Sequence, residues 1–381
     1  MKFEQRTWSS LKNWSQNGPS KNLKPQLVFV FGETGLLKNK TQLDQLRAFY
    51  PGAFVFGCST SGEIHGNSVS EDTIASTALQ FKSTKIQHAA VTLTDVPNCY
   101  EAGVKLASSI SHQELRHVFV LSVGLNVNGS DLVKGLSSKF PPGVSITGGL
   151  AGDKARFKET VIIAGDLVSA NSIAIVGLYG RHLEIGTASV GGWDPFGPER
   201  LVTKSKGNIL YELDGKSALD LYKTYLGEHA KELPASALLF PLCLRSDASK
   251  LGIVRTILGV DEKDRSMTFA GDIPEGSYGR FMRANIERII EGAINAAKVS
   301  AEPIKNSKPQ FALLISCVGR RLVLNQRTEE EIEGVREILG EQAAMTGFYS
   351  YGEISPFISC AKSELHNQTM TLTTLSETDE T

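Results

Sequence analysis

Two stretches of the chain repeat one order of apolar and polar positions. The first opens on Leu27–Phe31 (LVFVF), a continuous apolar run of buried-strand length. After Gly32, the segment Thr41–Tyr50 puts Leu43, Leu46 and Phe49 on one helical face. A second strand follows at Ala53–Phe56, and the unit closes on GCSTSGEI at Gly57–Ile64. Near the other end, strand Phe311–Ser316 (FALLIS), helix Thr328–Leu339 and GFYSYGEI at Gly347–Ile354 come in the same order. Two G-x-x-x-x-G-E-I strings in one strand–helix–strand frame mark an internal duplication.

Between the copies the pattern predicts strands at His117–Val123, Thr160–Ala164, Ser172–Leu178 and Ala237–Leu242. It predicts helices near Tyr100–Ser109, Ser130–Lys139, Leu219–Tyr225 and Phe281–Val299. The expected fold class is α/β, with two related α/β modules joined through the turn-rich segment Gly191–Pro198 (GGWDPFGP). The expected division is a polar N-terminal extension at 1–24, modules at 25–210 and 211–375 with the handover near 205–216, and a tail at 376–381. A chain of 381 residues is too long for one ordinary core, which agrees with two domains.

Composition narrows the partners. A net charge of -1 with 21% charged residues offers no global attraction to nucleic acid or anionic membrane. No run approaches the ~20 apolar residues of a membrane span, and residues 1–24 lack the apolar stretch of a signal peptide, so a soluble cytoplasmic protein with no membrane insertion is expected. Cys58, Cys99, Cys243, Cys317 and Cys360 are widely spread and never paired as C-x-x-C, which points to neither zinc nor a disulfide framework.

Candidate chemistry is sparse, and no enzyme is expected. Phosphate-loop, zincin and G-x-S-x-G motifs are missing, and Gly148–Asp153 (GGLAGD) lacks the dinucleotide-binding spacing. Cys58 stands at a strand end beside Ser59, Thr60 and Ser61, whose amides and hydroxyls can lower a thiol pKa. Glu63 and Glu353, one from each copy, are suited to acid–base work, to capping or to holding a ligand's amine. A hydrolase or transferase using Cys58 or this pair is the catalytic alternative. Tyr349 and Tyr351 would share one face of a strand and line a pocket or pack. Arg320 and Arg321 suit an anionic group, and the Ser130 hydroxyl suits a helix N-cap.

GCSTSGEI, GGLAGD, VTKSKGNILYELDGKSALDLYKTYLG, GVDEKDRSMTFAGDIPEGS and GFYSYGEISP…ELHNQTMTLT together resemble the FIST family, from about residue 25 to 375 and in the right order. The resemblance implies a bacterial signal-transduction input module that binds a small ligand and regulates a partner, a sensor histidine kinase or a cyclic-di-GMP enzyme; a homodimer is compatible with this. The loop IGTASVGGWDPFGPERLVTKSKGN is similar to the haem-binding, nitric-oxide-sensing NosP-type branch. That likeness implies haem b, with His182 as axial ligand and His366 or His65 as alternatives, Trp193 and Phe196 over the macrocycle, and Arg320 and Arg321 at its propionates. The other expectation is an apo sensor of amino acids or related metabolites, held by Cys58, Ser59, Thr60, Glu63, Tyr349, Tyr351 and Glu353.

Overall fold

In the computed structural model, which describes residues 1–15, 23–233, 235–245, 252–304, 308–357 and 361–378, the apolar runs become the first strands of parallel pairs. The first unit is β1 (Lys2–Ser9), β2 (Leu27–Gly32), α1 (Lys40–Phe49), β3 (Phe54–Ser59), a hairpin of β4 (Glu63–His65) and β5 (Ser68–Ser70), and β6 (Ile74–Gln80). The second is β7 (Lys85–Thr92), α2 (Cys99–Ser108), β8 (Leu115–Ser122), α3 (Gly129–Ser137), β9 (Ser145–Leu150), a hairpin of β10 (Ile162–Ala164) and β11 (Leu167–Ser169), and β12 (Ser172–Tyr179). A third begins with β13 (Leu183–Val190) and is then interrupted.

The interruption is a β-rich inserted domain, residues 194–283. It holds β14 (Asp194–Lys206), β15 (Ile209–Leu213), α4 (Ala218–Leu226), β16 (Leu242–Arg245), β17 (Ile253–Arg255), β18 (Ile257–Asp261), β19 (Ser266–Phe269) and β20 (Tyr278–Arg283). These strands form one sheet in the order β17-β16-β20-β14-β15-β19-β18, over a core of their own that includes Leu219, Tyr222, Phe269 and Phe281. The third unit resumes with α5 (Ile286–Ala301), β21 (Phe311–Cys317), α6 (Val318–Leu324), α7 (Thr328–Leu339), β22 (Ala344–Ser350), a hairpin of β23 (Gly352–Pro356) and β24 (Ser363–His366), and β25 (Met370–Glu377).

In every unit the leading strand pairs with the return strand, which pairs with the first parallel strand. The hairpins are exchanged in a ring. β4 pairs with β22 of the third unit, β10 with β3 of the first, and β23 with β9 of the second. Alternation along each central strand explains the packing. Phe29, Phe119 and Phe311 turn inward to a shared core, with ring centroids 5.3 Å apart for Phe29–Phe119 and 5.5 Å for Phe29–Phe311. Their neighbours Val28, Val118 and Ala312 turn outward to the helices. No helix among the described residues is long and apolar enough to cross a membrane.

The expected α/β class stands, and the two sequence copies are two of three. Ile64 lies opposite Gly347, Ile163 opposite Gly57, and Ile354 opposite Gly148. A Cβ on any of these glycines would meet a carbonyl oxygen of the parallel neighbour at 1.7–1.8 Å, so each must be glycine. The middle copy escaped notice because eight extra residues separate its glycine from its isoleucine, and Ile162 takes the glutamate's place.

Three boundaries differ from expectation. Residues 2–9 are a strand of the first sheet, so the segment 1–24 is not merely an extension, and β25 carries the fold through Glu377 into the expected tail. The handover at 205–216 lies inside the inserted domain rather than between two bodies. Locally, Ala237–Leu242 is largely a 3-10 turn ahead of β16, and Phe281–Arg283 ends β20 instead of opening a helix.

Candidate functional site

The residues singled out in the sequence are mostly internal fasteners. Glu63 is buried and accepts hydrogen bonds from Thr60 Oγ1 at 2.5 Å and Thr73 Oγ1 at 2.7 Å. Glu353 repeats this with Ser350 Oγ at 2.5 Å and with Thr369 through its N–H at 3.2 Å and its hydroxyl at 3.0 Å. Burial outweighs those bonds and pushes the carboxyls up, Glu63 to about 7 and Glu353 to about 8. Each closes its own exchanged hairpin, and neither lines the large cleft described below.

Cys58 is fully buried and desolvation pushes its thiol well up, the opposite of an activated nucleophile. Ser59 Oγ accepts from Val161 N–H at 2.9 Å. Tyr349 and Tyr351 part company. Tyr349 donates to Glu331 at 2.7 Å, whereas Tyr351 bonds Asp153 and stacks on Phe157 at 4.5 Å. Cys360 lies outside the described residues.

The expected haem residues do not converge. His182 sits in the link before β13 and Trp193 beyond that strand's far end, roughly 25 Å away by strand rise. Trp193 instead packs on Met282, Ile289 and Leu324 and donates to Gln368 O at 2.9 Å, while Phe196 packs inside the inserted domain. Arg320 is buried in an ion pair with Glu331 at 2.7 Å and donates to Gly191 O and Ile289 O, both at 2.7 Å. Arg321 is held by Ser61 O and Glu71. Both arginines are therefore occupied within the fold. His366 is buried, bonded to Ser355 O at 2.8 Å and lowered to about 4 by burial. His65 is half-buried, its Nε2 without a partner.

The neighbours of His366 dock the inserted domain. Asn367 Oδ1 accepts from Thr256 N–H at 3.4 Å, and Gln368 Nε2 donates to Thr256 Oγ1 at 3.1 Å. Beside this joint opens a cleft of about 1070 Å³. One wall is α3 and the segment after it, with Val133, Phe140 and Ile146; another is the β23–β24 hairpin with Phe357 and Leu365. The third belongs to the inserted domain: β16, β17 and residues 272–277. The volume and mainly apolar lining suit a small molecule.

Polar groups span the cleft. Asp272 accepts from Lys134 Nζ at 3.1 Å and Asn128 Nδ2 at 3.2 Å, and Arg255 donates to Leu365 O at 2.8 Å and Asp272 O at 3.3 Å. The N-cap of α3 is Asn128, whose side chain accepts from Asp131 N–H, not Ser130 as its hydroxyl suggested. Ser130 therefore stands on the cleft wall with its Oγ buried and unpartnered. Sequence reasoning missed this cleft, although the AGDIPEGS stretch that carried the family resemblance supplies Asp272 and residues 274–277 of its wall.

Haem does not fit these walls, because no His, Cys, Met or Tyr stands among the described lining residues to ligate iron. Residues 26–216 match the FIST N domain and residues 218–356 match the FIST C domain. The chain belongs to the FIST family. FIST domains are signal-transduction sensor domains. The chain is also 28% identical over 208 residues to the uncharacterized protein MJ1623 of Methanocaldococcus jannaschii, a match covering 50% of this chain and 39% of that protein's length. The junction between the FIST N and FIST C matches falls within the inserted domain, so both matched regions contribute to the cleft.

Proposed function

We propose that this FIST protein is a sensory binding protein whose ligand occupies the cleft between the inserted domain and the three-unit core. One observation carries the reading. The walls belong to two separately cored bodies, and polar bridges between them, Lys134 to Asp272 and Arg255 to Leu365 O, lie at the cleft itself. A ligand touching both bodies favours one arrangement of them over another, and a partner protein that distinguishes the arrangements reads the signal. The family supports a histidine kinase or a cyclic-di-GMP enzyme as that partner. Amino acids or related metabolites remain suitable ligands, at this cleft rather than at Glu63 and Glu353. The haem and nitric oxide reading rests on resemblance alone.

The test is a thermal-shift screen of the full chain against a metabolite panel, repeated with Val133→Trp to fill the cleft. Hits are expected to raise the melting temperature of the wild type and not of the variant, and to slow amide exchange at residues 272–277 and 363–365. A hit that stabilises both proteins equally would refute the cleft as the site.

A further inference from the structure

We infer that the ligand carries one compact anionic group, a carboxylate or a phosphate, that pairs with Arg255, while an apolar body lies against Phe140, Val133 and Ile146. This rests on the cleft being the ligand site. Arg255 is 6% exposed and lines the cleft, yet its bonded partners are backbone carbonyls: Leu365 O and Asp272 O. Among the described residues, no carboxylate oxygen lies within 4.0 Å of it. Asp272 and Glu364 act on it only at longer range.

Of the other cations on the lining, Lys362 is exposed to solvent at the rim, while Lys134 and Arg245 are matched. Lys134 is paired with Asp272 at 3.1 Å, and Arg245 with Glu199 at 3.0 Å. The fold also shows how it treats a buried guanidinium meant only for structure, since Arg320 has Glu331 at 2.7 Å. A buried charge without a counter-ion is costly, and Nη2, the one guanidinium nitrogen outside the bonds to Leu365 O and Asp272 O, is left to donate to an anion's oxygen. Burial accordingly depresses Arg255 to about 10, a strain that a bound anion relieves. Ser130, on the α3 wall of the same cleft, supplies a second donor, its buried hydroxyl lacking any partner among the described residues. Asp272 has both oxygens engaged, so an ammonium group gains little beside them.

Calorimetry with probes of one chain length tests this: octanoate, octyl phosphate, octylamine and octanol. Octanoate or octyl phosphate should bind, and whichever binds more tightly names the headgroup; octylamine and octanol should bind at least about tenfold more weakly, as a charge-assisted pair predicts. Arg255→Lys should weaken the anion about tenfold, because it keeps the charge but loses the fixed, planar placement of the Nη2 donor. Ser130→Ala should weaken it a few-fold with an unchanged melting temperature, which guards against Arg255→Lys acting through stability. No binding of either anion, or octanol binding as well as both, overturns the proposal. Anion binding that Val133→Trp abolishes but Arg255→Lys and Ser130→Ala leave intact keeps the cleft and overturns the headgroup assignment; anion binding untouched by all three variants overturns the cleft too.

Discussion

Gly148 of the second unit faces Ile354 of the third across an antiparallel strand pair, and the same glycine–isoleucine pairing recurs at Gly57 with Ile163 and Gly347 with Ile64. Each unit therefore completes its sheet with a hairpin borrowed from another, so no unit has a finished sheet by itself. The motif's repetition reports this exchange, not a shared active site.

Gly347→Ala should be strongly destabilising. Its Cβ would lie 1.8 Å from Leu314 O, a backbone atom that cannot swing aside. Overpacking of this kind costs about 1–3 kcal/mol or more. Gly259→Ala, where nothing lies within 4 Å, is expected to shift stability by less than about 0.5 kcal/mol. Urea unfolding of the two variants compares them directly, and equal midpoints would contradict the account.

Glu331→Gln leaves Arg320 buried with no counter-charge and leaves Ser316 and Tyr349 without their carboxylate acceptor. A loss of about 3–5 kcal/mol is expected. Glu330→Gln one position earlier breaks an exposed pair with Arg327 and should hardly move the urea midpoint.

The stability contributed by Glu63 and Glu353 should fall as pH rises above 4.5. Glu63 and Glu353 have folded-state pKa values raised from 4.5 to about 7 and about 8, so the folded protein holds protons that the unfolded chain releases. Their protonated forms contribute stability below pH 4.5, and it is lost as pH climbs through the folded values, at up to about 1.4 kcal/mol per pH unit for each group. Glu353→Gln should therefore unfold at higher urea than wild type at pH 8, with the gap closing toward pH 5. A gap that widens toward pH 5 would reverse the assignment.

Protein purified from haem-supplemented cells, reduced and exposed to nitric oxide, should show no sharp Soret band that moves with the gas, because the cleft's described walls hold no iron ligand. Such a band, if it vanished in His65→Ala, His366→Ala or His182→Ala, would restore the haem reading and identify the ligand.

Local patterning determined a good deal about this protein. Apolar runs such as Leu27–Phe31 and Phe311–Ser316 became central strands, the helices at Thr41–Tyr50 and Thr328–Leu339 formed within a residue or so of expectation, and the two G-x-x-x-x-G-E-I strings fell at equivalent places. These features depend on periodicity and turn chemistry within a few residues, which sequence displays. The tertiary structure alone decided what those residues do. Whether Glu353 meets a ligand or Thr369, whether Cys58 is reachable, and whether His182 stands near Trp193 depend on which distant segments arrive beside them. The middle repeat stayed hidden behind extra residues, since pairing across a sheet tolerates loop residues that break a linear motif. Nothing in the local pattern singles out Arg255; Asp272 O and Leu365 O close around it in the fold, and only that burial gave its charge a function to propose.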